Sequence, residues 1–145
     1  IVTRSQYENS IASNQTRMTY YRATVVAVSE EHDLALVSTE GKYSSDDWLT
    51  ISEDNVLAGE TVYGMGMPGG LPWILTRGFV STISLIGQKN IFHQAPVSPG
   101  ASGGPLLNRN GAVIGVNVGF MERANLVSVA VPARYLQDLI DRYQE

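Results

Sequence analysis

The sequence has 145 residues, of which 43% are hydrophobic and 17% charged, and its formal net charge is −4 at pH 7. This balance indicates one globular domain with a core rather than a disordered chain, and it argues against nucleic-acid binding, because no basic stripe is available to neutralise phosphates. The absence of cysteine excludes a disulfide framework and thiolate metal sites without identifying a compartment. No apolar run approaches the roughly 18 residues of a membrane span.

The first half of the chain has the composition of short strands. Residues 1–3 fit the end of a strand whose beginning is absent. If the chain folds as a pair of all-β barrels, a class of domain that commonly runs to about 200–250 residues, we expect part of the fold to be missing. Residues 18–28 are rich in Tyr, Thr and Val, which predicts a strand. After a turn, residues 33–37 form a short apolar strand that begins with the acid Asp33.

The second half predicts further strands and a terminal helix. Residues 41–54 are polar and indicate a connection, in which we expect Trp48 and Leu49 to cap the edge of a core. Strand composition follows at residues 61–66, at 73–85 with an interruption at Gly78, at 112–119 and at 127–131. Residues 132–143 predict a helix because apolar side chains recur on one face at helical spacing, namely Tyr135, Leu136, Leu139, Ile140 and Tyr143.

A serine surrounded by glycines, Ser102, is the candidate nucleophile. Residues 98–105 read Ser-Pro-Gly-Ala-Ser-Gly-Gly-Pro, and the glycines permit tight backbone geometry and close approach of a substrate. Such a turn can direct the N–H groups of Gly100 and Ser102 at one point, as stabilisation of an oxyanion requires. An ordinary turn is the alternative interpretation of this composition. The hairpin signal that follows at residues 108–111 favours the catalytic one.

Residues 98–119 resemble the nucleophile segment of trypsin-like serine peptidases. They are most similar to the HtrA (Deg) branch, in which a Pro-Gly-x-Ser-Gly-Gly-Pro-Leu-Leu run precedes a similar hairpin. Trypsin itself has Asp directly before the serine, where this chain has Ala101.

The resemblance implies an all-β fold, the chymotrypsin/trypsin-like double β-barrel, with an incomplete N-terminal barrel and a short C-terminal helix. We expect one domain over residues 1–145. Within it, residues 1–45 would form the partial N-terminal barrel, 56–131 the C-terminal barrel and 132–145 the helix. The substrate class implied is extended polypeptide, and we expect no cofactor and no metal.

The triad acid of the resemblance falls on Asp33. An acid at the start of a strand is, taken alone, an ordinary turn residue. The alternating apolar strand behind it and its spacing to Ser102 resemble the HtrA segment that delivers the catalytic aspartate. Together these features favour Asp33 as the acid.

The histidine base of the resemblance is missing. The family places it in a run Ile-(Leu/Val)-Thr-x-x-His-Val, and on residues 1–7 the histidine position falls on Gln6, which cannot accept a proton near neutral pH. His32 directly precedes Asp33 and is interpreted as a solvated turn residue, since neighbours in a strand point to opposite faces. His93 either contacts a substrate side chain or is a packed histidine. Neither has the position of the base.

Residues 115–119 are predicted to form an edge strand along which an extended peptide could pair main chain to main chain. In the resemblance Val116, Asn117 and Val118 line the substrate groove, and His93, Gln94 and the loop at 120–126 lie beside the specificity pocket.

Two functions from different classes follow. One is a serine endopeptidase domain, proteolytically impaired because Gln6 replaces the base. The other is a non-catalytic pseudoprotease that acts as a peptide-binding or structural subunit of a homo- or hetero-oligomer. Gln6 favours the second, whereas the intact loop at Gly100–Pro105 favours the first. The sequence fits a natural pseudoenzyme and an inactivated His-to-Gln form equally.

Overall fold

The computed structural model describes residues 21–41, 43, 47–70, 74–83, 89–121 and 127–144. Within these ranges the chain forms eight strands, one α-helix and a short 3-10 helix at Pro68–Gly70. The strands and the α-helix are β1 Ala23–Ser29, β2 Leu34–Thr39, β3 Thr61–Gly66, β4 Ile74–Ile83, β5 Ile91–His93, β6 Pro105–Leu107, β7 Val113–Phe120, β8 Ser128–Pro132 and α1 Ala133–Gln144. The predicted all-β character with a short C-terminal helix is therefore confirmed. No helix in the described part of the chain is long and apolar enough to cross a bilayer.

Six strands close into a barrel in the order β3-β4-β5-β8-β7-β6. Their inward side chains form a dry core of small and branched residues, comprising Val62, Val80, Ile91, Ala95, Leu106, Ile114 and Ala130. Closure gives each barrel strand a paired neighbour on both sides over at least part of its length. The loop that carries Ser102 joins two of them, β5 and β6.

The first two strands form a separate two-stranded antiparallel sheet. It packs on the outside of the barrel through a second cluster, in which Leu34 of β2 contacts Val131 of β8 and Leu139 of α1. The helix thus contacts both the small sheet and the barrel. No described strand of the small sheet pairs with a barrel strand, so side-chain packing joins these two described sheets.

Two local expectations are wrong. Strand β4 runs through Gly78 without interruption. Glycine is needed in this strand because the backbone of Gln94 and Ala95 passes so close that a Cβ atom would collide with it. The aromatic side chain of Trp48 does not cap a core edge, since 66% of its surface is exposed, and Leu49 is exposed as well. Both errors concern contacts between distant segments.

Candidate active site

Ser102 lies on an exposed turn between β5 and β6. Gly100 and Gly103 have φ angles of 99° and 82°, in the left-handed region that favours glycine. The Ala101 N–H donates to Ser98 O (2.9 Å), and the Gly104 N–H donates to Ala101 O (3.0 Å). These two bonds form consecutive turns that present the serine to solvent while Ala101 is buried beneath it.

The end of β3 supports this loop from below. A Cβ atom at Gly104 would collide with the carbonyl oxygen of Met65, and one at Gly100 would collide with that of Met67. The Met67 N–H donates to Gly100 O (3.2 Å). The glycines therefore serve close backbone packing as well as the turn, which explains why the loop needs them on both sides of the serine.

Strand β7 holds the other side of the loop. The Gly103 N–H donates to Asn117 O (2.7 Å), and the Asn117 N–H donates to Gly104 O (2.9 Å). The Ser102 hydroxyl donates to Val118 O (3.3 Å), an acceptor that cannot remove a proton from it. The serine is thus held in place, and within the described residues it contacts no base.

The amides of Gly100 and Ser102 remain free. Among the described residues neither N–H donates to any acceptor, although the amides of Ala101, Gly103 and Gly104 all do. Unpaired donors on an exposed loop next to a serine are the groups that an oxyanion site requires. Their role as that site stays a prediction.

His93 and Asn117 form a buried polar pair behind the loop. Both side chains are 0% exposed, and His93 Nε2 lies 3.0 Å from Asn117 Oδ1. The Asn117 amide nitrogen donates to Pro105 O (3.2 Å), so the amide oxygen is left to accept from the imidazole N–H. Burial lowers the pKa of His93, and the contacts with Asn117 and the Ala95 backbone oppose that shift. The pair links β5, β7 and the start of β6.

The predicted substrate-binding residues occupy different environments. Asn117 and His93 are buried, Val116 is half-buried against the cluster beneath α1, and exposed Gln94 lines an open cleft of about 570 Å³ with Arg77 and Phe79. Val118 is the one that lies next to Ser102. Substrate contact by any of them stays a prediction. For His93, full burial favours the packed-histidine interpretation.

The expected free edge of β7 is shorter than predicted. Residues 115 and 116 pair with β6 on one side and β8 on the other, and Asn117 is bonded to the serine loop. Beyond Asn117, β7 pairs with β8 alone. The edge facing Ser102 is therefore limited to residues 118–120.

Asp33 lies in the turn between β1 and β2, one residue before β2 begins. Its φ angle of 53° makes it the only described non-glycine residue in the left-handed region, which Asp tolerates better than most residues do. Its carboxylate is exposed, and no described contact connects it to Ser102. Gln6 lies outside the described residues.

The environment of His32 was missed by sequence reasoning. Its side chain is only 15% exposed and its ring stacks on Tyr135 of α1, with centroids 3.8 Å apart. The interpretation as a solvated turn residue is therefore wrong. The aromatic residue at position 135 was read as part of the apolar helix face, and no local signal pairs it with a residue so distant in the chain.

Comparison with known proteins gives a consistent match. The model of the trypsin-like peptidase domain matches residues 2–116. Serine protease HTRA4 of Mus musculus is 33% identical over 134 residues, which cover 86% of this chain and 27% of that protein. A probable periplasmic DegP-like serine endoprotease of Pseudomonas fluorescens is 34% identical over 126 residues, covering 81% and 26%.

The solved structures support the same fold. The HtrA-type protease AlgW, determined with a decapeptide, superposes with a TM-score of 0.77 at 22% identity, covering 89% of this chain and 42% of AlgW. The chain spans about a quarter of the length of the curated relatives it matches. The predicted trypsin-like fold is confirmed.

Proposed function

Since the chain belongs to the trypsin-like peptidase domain family, of HtrA type, we propose that it is a serine-peptidase domain that binds extended polypeptide in front of Ser102. Ser102 is the nucleophile, Asp33 the acid, and the N–H groups of Gly100 and Ser102 the oxyanion site. Because Gln6 occupies the position of the histidine base, the domain hydrolyses peptides slowly or not at all.

The observation that carries this proposal is the serine loop. Ser102 is exposed, and the loop around it is fixed by hydrogen bonds to Met67, directly after β3, and to Asn117 of β7. The only described amides of residues 100–104 without an acceptor are those of Gly100 and Ser102. An ordinary surface turn has no need for such close support on two sides. Preorganised donors beside a nucleophile act on the charge that develops during acyl transfer.

The exposed edge at residues 118–120 supports the polypeptide part of the proposal. Extended peptides bind such edges by adding a strand, with main-chain hydrogen bonds as the common source of affinity. The edge begins where Val118 O contacts the serine hydroxyl. A peptide paired there would bring its carbonyl groups close to Ser102.

A pseudoprotease is the second candidate, and Gln6 is the observation that favours it. A serine hydroxyl needs a base to become an effective nucleophile, and removal of a triad member leaves only the weak catalysis that oxyanion stabilisation and binding provide. In this case the domain is a peptide-binding subunit of an assembly, and its Ser102→Ala variant binds peptides as well as the unchanged chain.

A fluorophosphonate probe tests the proposal. We expect very slow labelling of Ser102 in the unchanged chain and labelling faster by orders of magnitude in Gln6→His, because an imidazole can accept the serine proton. Ser102→Ala, in either background, gives the level of nonspecific labelling. Rapid labelling of the unchanged chain would mean that another base exists. Equal rates with and without Gln6→His would contradict the assignment of position 6.

A further inference from the structure

The turn that carries Asp33 is held from outside by the C-terminal helix. The His32 and Tyr135 rings stack with an interplanar angle of 24°. The His32 ring is also held by a hydrogen bond to β1, because Ser29 Oγ lies 3.1 Å from His32 Nδ1. The imidazole therefore joins the end of β1 to the first turn of α1.

Asp33 lies between two residues that are anchored to this helix. His32 before it stacks on Tyr135, and Leu34 after it is buried against Leu139. The only described hydrogen bond of Asp33 itself is a long one, from its N–H to Glu30 O (3.5 Å). The location of the carboxylate is thus set by its two neighbours and not by bonds of its own.

The aromatic ring on the helix is itself held. The Arg134 guanidinium carbon lies 4.6 Å from the Tyr135 ring centroid, and its Nη2 donates to the Tyr135 hydroxyl (2.8 Å). A cation over an aromatic face is attractive, so Arg134 restricts the ring that His32 contacts. Helix α1 also follows directly after β8, which makes it continuous with the barrel that carries Ser102.

We propose that Tyr135 is a positioning residue of the active site, which holds the Asp33 turn through its stack on His32. The inference rests on the proposed function. The small sheet that carries Asp33 and the barrel that carries Ser102 share no described strand pairing, so the distance between acid and nucleophile must be kept by packing. The His32–Tyr135 stack and the burial of Leu34 with Val131 and Leu139 flank the acid, and both cross between the two sides.

The test uses the full chain in the Gln6→His background, where Ser102 labelling is measurable. Tyr135→Leu keeps an apolar side chain but removes the stack. We expect its maximal labelling rate to fall at least tenfold, while the probe concentration for half-maximal rate stays within twofold, because the acid and not the probe site is displaced. His32→Leu removes the same stack from the other partner and should give the same loss.

Two variants separate the stack from general damage to the helix. Tyr135→Phe keeps the ring and should retain the parent rate within twofold. Tyr143→Leu makes the same exchange on the same helix at a side chain that is 54% exposed, and it should behave as the parent. A parent-like rate in Tyr135→Leu, or a loss in Tyr135→Phe as large as in Tyr135→Leu, would overturn the proposal.

Amide hydrogen exchange provides a readout that does not depend on catalysis. In the unchanged background, Tyr135→Leu should speed exchange at residues 31–34 about tenfold or more, whereas Tyr143→Leu should leave it unchanged. If Gln6→His shows no labelling that depends on Ser102, the proposed function fails, and the exchange rates alone decide whether Tyr135 holds the turn. Unchanged exchange in Tyr135→Leu would then overturn that role as well.

Discussion

The serine loop and the acid turn are held in opposite ways. The serine loop connects two strands of the closed barrel, and backbone hydrogen bonds to Met67, directly after β3, and to Asn117 of β7 fix it on two sides. The acid turn, which carries Asp33, belongs to a sheet that has two strands among the described residues and whose outward valines, Val25, Val28 and Val37, are exposed. The neighbours of Asp33 in the chain pack with side chains of α1. The proposed nucleophile and oxyanion donors thus belong to the barrel, whereas the proposed acid belongs to a sheet that packs against it.

This difference has a physical basis in the two kinds of contact. Each strand of the closed barrel has paired neighbours on both sides, whereas an isolated two-stranded hairpin is only marginally stable in water. Among the described residues, the small sheet is joined to the barrel and the helix by the burial of Leu34 in one cluster with Val131 and Leu139. We expect local opening of the acid turn to occur more readily than any opening of the serine loop.

The largest expected effects come from matched leucine truncations in the two regions. Leu106 is fully buried in the barrel core and Leu34 is buried under α1. Leu106→Ala should lower the free energy of unfolding of the whole barrel by about 4–5 kcal/mol, and Leu34→Ala by about 2–3 kcal/mol. Native-state hydrogen exchange should locate the second loss in β1 and β2, with the barrel amides protected as before.

If Leu34→Ala speeds exchange throughout β3–β8 as strongly as Leu106→Ala does, the small sheet and the barrel unfold as one unit. The contrast between a rigid nucleophile and a docked acid would then be wrong.

A smaller effect is expected from pH through the buried His93. Its folded-state pKa is lowered by burial, so the unfolded chain binds a proton more readily than the folded one does. Above the unfolded-state pKa of about 6.5, His93 is neutral in both states and the protein keeps its full stability. As the pH falls from there through the lowered folded-state pKa, the unfolded chain gains the proton first and the free energy of unfolding decreases. Denaturant titrations between pH 7.5 and 5 measure this loss.

His93→Gln is the matched control for that titration. Its amide can still donate to Asn117 Oδ1, and it does not titrate. The pH profile of the variant should be flatter than that of the parent below about pH 6.5. Parallel profiles would mean that His93 is protonated without cost in the folded barrel.

The parts of the site that follow from local sequence were predicted from it. Gly100 and Gly103 adopt the positive φ angles that glycine permits in the turn around Ser102. Strand β3 begins and ends where its composition changes, at Thr61 and Gly66. The helix at residues 133–144 follows from its apolar spacing. Periodicity and turn chemistry are local, so one sequence is enough to read them.

The contacts that the sequence did not predict join distant segments. The His32 ring is shielded from solvent by the Tyr135 ring. At position 78 a Cβ atom would collide with the backbone of Gln94, so only glycine fits there. The free edge of β7 begins only at Val118, because the serine loop itself covers Asn117. Each depends on which elements meet in the folded chain, and such pairings leave no signature in the composition of either partner.

The decisive measurement is the rate of Ser102 labelling in a double-mutant cycle of Gln6→His and Asp33→Asn. Asn tolerates the left-handed backbone as Asp does, so the turn should keep its shape. If Ser102, Asp33 and position 6 form one catalytic unit, Asp33→Asn changes the rate less than twofold when Gln6 is present and lowers it at least tenfold when histidine is there. Equal factors in both backgrounds, or no effect in either, would show that Asp33 does not act through position 6 and would contradict the proposed triad.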